Sequence, residues 1–137
     1  MPPAKRVDLA WQHRGMVFRG EGAGKAPITI DGDNAEAPGP MEGLLLALAA
    51  CTGSDVVAVM KKKRVDLQEL RIEVTGRRSD EHPQRYVAID LVYRVEAPGA
   101  TEQQVRHAID LSLAKYCSVT HSLNPDIPVR YELALQA

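Results

Sequence analysis

The run MEGLLLALAAC constrains this chain more than any other segment. Leu44, Leu45, Leu46, Ala47, Leu48, Ala49 and Ala50 would surround a helix on every side. A helix that is apolar all round has no face to show to water and must be buried all round. One small sheet covers one side, so a second cover is needed, and a second subunit in a twofold dimer is the simplest. The alternative is a helix threaded through the core of a monomer. Pro40 suits the first helical position after AEAPGP, and the helix is predicted to run to about Lys63. Its basic end, Lys61, Lys62, Lys63 and Arg64, sits where cations complement the helix dipole. The uncharged stretch between Glu42 and Asp55 is too short to span a bilayer.

Around this helix, period-two alternation predicts strands. Val7, Leu9 and Trp11 alternate with Asp8 and Ala10, and the chain turns at His13–Arg14–Gly15. Met16–Gly20 reads as the returning strand and Pro27–Asp31 as a short third one. After the helix, Leu70, Ile72 and Val74 mark a half-buried strand. GRRSDEHPQR forms a polar hairpin loop, and Val87, Ile89, Leu91, Tyr93 and Val95 return. Thr101 with Gln104 is a capping box opening a second helix that ends near Ser118. Pro128–Gln136 closes the chain as a strand, with Val129, Tyr131, Leu133 and Leu135 on one face. The order is βββ-α-ββ-α-β. Antiparallel hairpins with segregated helices make this an α+β chain, a single domain over 1–137.

Composition excludes several functions. A formal net charge of −1 gives no electrostatic footprint for nucleic acid. The start MPPAKRVDLAW has no apolar signal core, so the expectation is a cytoplasmic protein without membrane association. Two cysteines, Cys51 and Cys117, are too few for a disulfide-stapled scaffold or a four-cysteine zinc site. They are either inert core thiols, since free Cys packs as a small hydrophobe, or a redox pair assembled by the fold. No GxGxxG, P-loop, HExxH or GxSxG motif is present, and no cofactor or metal is expected. His121, four residues after Cys117, lacks evident further ligands for zinc.

The stretch PGPMEGLLLALAACTGSDV, followed by DLSLAKYCSV, resembles the osmotically inducible protein C and organic hydroperoxide resistance (OsmC/Ohr) family. The short first loop and KYCSV are most similar to its OsmC-like branch. The resemblance implies an intertwined homodimer with two long central helices packed on antiparallel sheets. It also implies a thiol peroxidase for organic, lipid-type hydroperoxides. In that reading Cys51 attacks the peroxide as a thiolate and becomes a sulfenic acid. Cys117 resolves this to a disulfide, and an external dithiol (lipoyl-type) or small thiol restores both.

The family holds the thiolate with an arginine from the N-terminal strands, itself held by a glutamate near the start of the first helix. Arg14, at the first hairpin, and Arg19, on the second strand, are the candidates here. Counting back from Cys51, the family's glutamate position falls on Met41, and Glu42 lies one place nearer. On a helix, nine residues place Glu42 roughly 13 Å from Cys51 along the axis and on the opposite face. Glu42 therefore reaches Cys51 only from a symmetry-related helix, and as a helix-start carboxylate the dipole explains it equally well.

Asp55 and Asp110 share helical faces with Cys51 and Cys117. A carboxylate beside a thiol disfavours the thiolate, so both are expected to bond backbone or arginine groups instead. Two readings stand beside the peroxidase: a binding module for a small apolar ligand, lined by helix residues and Tyr116, and a redox sensor whose disulfide forms without turnover.

Overall fold

The computed structural model describes residues 1–137. The order is the expected α+β one, in two compact units, Met1–Leu44 and Leu45–Ala137. In the first, β1 (Val7–Trp11), β2 (Val17–Gly22) and β3 (Ile28–Asp31) form an antiparallel meander. The β1–β2 turn needs left-handed backbone, supplied by His13 at φ 61° and Gly15 at φ 47°. Every residue of β1 is exposed, including Val7, Leu9 and Trp11.

The helix α1 (Pro40–Lys62) crosses the boundary between the units. With its polar ends it has 23 residues, so by length and composition alone it is long and apolar enough to cross a membrane. The uncharged stretch between Glu42 and Asp55 is only part of it, and core helices meet the same length and composition. What it buries here is a stripe of Leu48, Thr52, Gly53, Val56 and Met60, at helical spacing. The stripe lies close over the sheet: a Cβ on Gly53 would sit 3.2 Å from Ile72 Cδ1. Leu44, Leu46 and Val57 stay exposed on the same helix, so the second cover that its composition demands is not supplied by this chain.

In the second unit, β4 (Glu69–Arg78), β5 (Tyr86–Glu96) and β6 (Val129–Gln136) form a sheet with β5 in the centre. Ile89, Leu91, Tyr93 and Val95 of β5 are almost fully buried, as the central position requires. β4 and β5 are antiparallel, but β6 runs parallel to β5, correcting the all-antiparallel expectation. A parallel neighbour needs a crossover, and the segment carrying α2 (Glu102–Leu111) provides it. The capping box at its start is formed: Thr101 Oγ1 accepts from Gln104 N at 3.2 Å, and Gln104 Oε1 accepts from Thr101 N at 3.0 Å.

The second helix does not continue to Ser118. It widens into one π-turn over Ser112–Tyr116, where the Cys117 N–H bonds the Ser112 carbonyl at 2.7 Å. Cys117 is then extended, at φ −72° and ψ 96°, and a short helix α3 (Ser118–Ser122) follows. The break turns Cys117 inward, and it is fully buried. Single π-turns within helices commonly mark functional positions.

Candidate functional site

Cys51 is half-buried on α1 and Cys117 is buried after the π-turn; both are free thiols. The structure makes them neighbours, close enough for the Cys51 thiol to act on the titration of Cys117. Burial is the main cause pushing the Cys117 thiol above its ordinary pKa, and the neighbouring Cys51 adds to it. Thr120 acts the other way. Its hydroxyl donates to Cys117 Sγ at 2.9 Å and its backbone N–H at 3.5 Å, both favouring the thiolate.

A chain of hydroxyls runs beside the thiols. Tyr93 OH and Thr52 Oγ1 are 2.8 Å apart, Thr52 and Ser112 hydroxyls are 2.8 Å apart, and Ser112 Oγ donates to Asp55 Oδ2 at 2.7 Å. A carboxylate only accepts, and each hydroxyl has one proton. Ser112 Oγ faces both Thr52 Oγ1 and Asp55 Oδ2 as a donor, so its single proton serves one acceptor at a time. Each link polarises the next in a buried setting. Burial pushes the Tyr93 phenol up to about 12, so it is a proton donor throughout the neutral range. The chain ties α1, β5 and the π-turn together around Cys51 and Cys117.

Asp55 thus bonds a serine hydroxyl, and exposed Asp110 accepts from Tyr131 OH at 2.7 Å. Neither bonds the backbone or arginine groups expected of them. The reason is that hydroxyls on the π-turn and on β6 reach these carboxylates first. Thr52→Val should leave the Tyr93 and Ser112 hydroxyls without their shared partner. It is expected to cost about 1–3 kcal/mol, read from urea unfolding.

The other predicted residues belong to the N-terminal unit. Arg14 makes a two-pronged ion pair with Glu36, its Nε donating to Oε2 at 3.0 Å and its Nη2 to Oε1. The Glu36 carboxylate raises the pKa of Arg14, and the guanidinium lowers that of Glu36, in both cases chiefly through these bonds. Sequence reasoning missed Glu36. It is placed by Asp31, which is 2% exposed and accepts from the backbone N–H groups of Asp33, Ala35 and Glu36. Those N–H groups, that of Glu36 foremost, hold Asp31 below the ordinary carboxylate range. Glu42 Oε1 accepts from the Gly39 N–H at 3.2 Å, so its observed work is at the start of α1. Arg19 is exposed on β2, opposite Ala10 and Thr29.

Tyr116 is exposed beside Lys115, whose ammonium lies 5.2 Å from the ring centroid. Thr120 and the hydroxyl chain also escaped the sequence reading. One signal was available: Thr120 follows Cys117 by three, the spacing of a side chain that caps a helix start.

Residues 32–132 match the family model described as OsmC-like protein. Protein YhfA of Escherichia coli strain K12 is 33% identical over 124 residues, covering 90% of this chain and 92% of the relative. The crystal structure of an OsmC-like protein from Mycoplasma pneumoniae superposes with a TM-score of 0.85 at 21% identity, over 100% of both chains. The organic hydroperoxide resistance protein OhrB of Bacillus subtilis gives 0.62 at 15% identity, over 96% of this chain and 98% of that one. At these identities the two structures speak to the fold alone.

Proposed function

We propose that this chain, which belongs to the OsmC-like family, reduces organic, lipid-type hydroperoxides with Cys51 as nucleophile and Cys117 as resolving thiol. The observation that carries this reading is a half-buried free thiol, Cys51, neighbouring a buried free thiol, Cys117, and acting on its titration. A thiolate at Cys51 attacks the terminal peroxide oxygen; the O–O bond breaks, an alkoxide leaves and takes a proton, and Cys51 becomes a sulfenic acid. The Cys117 thiolate attacks that sulfur, the S–O bond breaks, and water departs as the disulfide forms. A lipoyl-type dithiol or small thiol then reduces the disulfide by exchange.

Arg14 is the guanidinium proposed to favour the Cys51 thiolate, with Glu36 in the anchoring role for which Glu42 was a candidate only from a symmetry-related helix. Bidentate geometry fixes a guanidinium without removing its charge, which is the property the role needs. Arg19 is the less suited candidate, exposed on β2 and outside the four salt bridges. The exposed apolar residues of β1 and α1 support a homodimer as the working form.

The test is dithiol-dependent consumption of cumene hydroperoxide alongside hydrogen peroxide, under anaerobic conditions. Sustained turnover with preference for the organic peroxide is expected. One oxidation event per chain without turnover would instead favour a redox sensor, and no oxidation at all would favour inert core thiols.

A further inference from the structure

We infer that Thr120 is a catalytic residue of the thiol cycle, acting on the Cys117 sulfur as its thiolate forms and again as it leaves. The inference rests on the thiol-pair reading above and concerns the half of the cycle in which Cys51 is not the attacking group. Cys117 is fully buried, whereas Cys51 is half-buried, so an external thiolate meets the disulfide at Cys51 Sγ. The new S–S bond forms there. The Cys51–Cys117 bond breaks, and the electron pair departs on Cys117 Sγ. The second thiol of the dithiol then displaces Cys51 as a thiolate, and the dithiol leaves as its own disulfide.

The leaving sulfur is therefore a buried anion, which is costly unless hydrogen bonds meet it. Cys51 from α1 and Tyr93 from β5 interact electrostatically with it, and neither carries positive charge. Thr120 supplies the compensation, with its hydroxyl at 2.9 Å and its N–H at 3.5 Å from Sγ. The same two donors meet the Cys117 thiolate when it forms to attack the sulfenic acid. A better-stabilised leaving thiolate departs faster, so one residue serves both steps.

Thr120→Val removes the hydroxyl and keeps the shape, and Thr120→Ser keeps the hydroxyl. The disulfide is prepared in two ways, with cumene hydroperoxide and with diamide, and its reduction by dithiothreitol is followed by stopped-flow. Thr120→Val is expected to slow reduction roughly tenfold, the scale of one hydrogen bond to a charged group, while Thr120→Ser stays near the parent. The sulfenic acid should persist longer in Thr120→Val, with the pH profile of its resolution moved to higher pH. The initial attack of Cys51 on peroxide should keep its rate. Equal reduction rates in the parent and Thr120→Val would overturn the inference. So would equal slowing in Thr120→Ser and Thr120→Val, or failure of diamide to link Cys51 to Cys117. Slowing of the diamide-formed disulfide in a protein inert to cumene hydroperoxide would uphold Thr120 and remove the peroxidase reading alone.

Discussion

Cys51→Ser is expected to lose hydroperoxide consumption by roughly a thousandfold or more, the scale on which removing a covalent nucleophile acts. A serine hydroxyl is close in size to the thiol, so the fold should survive, but it does not ionise in the neutral range and is a poor nucleophile toward peroxide oxygen. The comparison with Cys117→Ser separates the two roles. That variant should still consume its first equivalent of peroxide, because the attacking sulfur is untouched, and should then stop as a sulfenic acid. Single-turnover kinetics of peroxide loss would distinguish them. A Cys51→Ser protein that kept the first turnover would reverse the assignment of the two cysteines.

Gly76→Val is expected to destabilise the C-terminal unit by about 3 kcal/mol, at the upper end of overpacking costs. Gly76 lies in β4 opposite Ile89 of β5, and the ring of Tyr86 covers it. A Cβ there would fall 2.4 Å from Tyr86 Cε1 and 2.6 Å from Cδ1, with Leu45 Cδ2 at 3.2 Å. Tyr86 is 5% exposed, so either its buried ring or the strand pair must shift. Equilibrium denaturation in urea checks this, and a change below about 1 kcal/mol would mean that the ring can move aside.

Local patterns in the sequence reached the strand order, α1, the capping box at Thr101 and the closing strand, because alternation and capping act within a few residues. The parallel placement of β6 was not legible, since a strand shows its faces in sequence but not the direction of its neighbour. The π-turn escaped for a related reason. DLSLAKYC has helical periodicity, and the wider pitch shows only in backbone bonds such as that from the Cys117 N–H to the Ser112 carbonyl. The two cysteines were legible as a pair through family resemblance, not through spacing. Glu36 was hidden because its partner Arg14 is 22 residues away and the loop that aims it is organised by a buried aspartate, Asp31. Thr52, Ser112 and Thr120 are ordinary hydroxyl residues in sequence. Their meaning comes from the burial around them.

The pairing of Cys51 with Cys117 is tested most directly by intact-mass and peptide-mapping mass spectrometry after one equivalent of cumene hydroperoxide. The parent protein should lose the mass of two hydrogens and show one intrachain Cys51–Cys117 link, while Cys117→Ser should gain one oxygen at Cys51. Both thiols unmodified in a protein that remains folded would contradict the account.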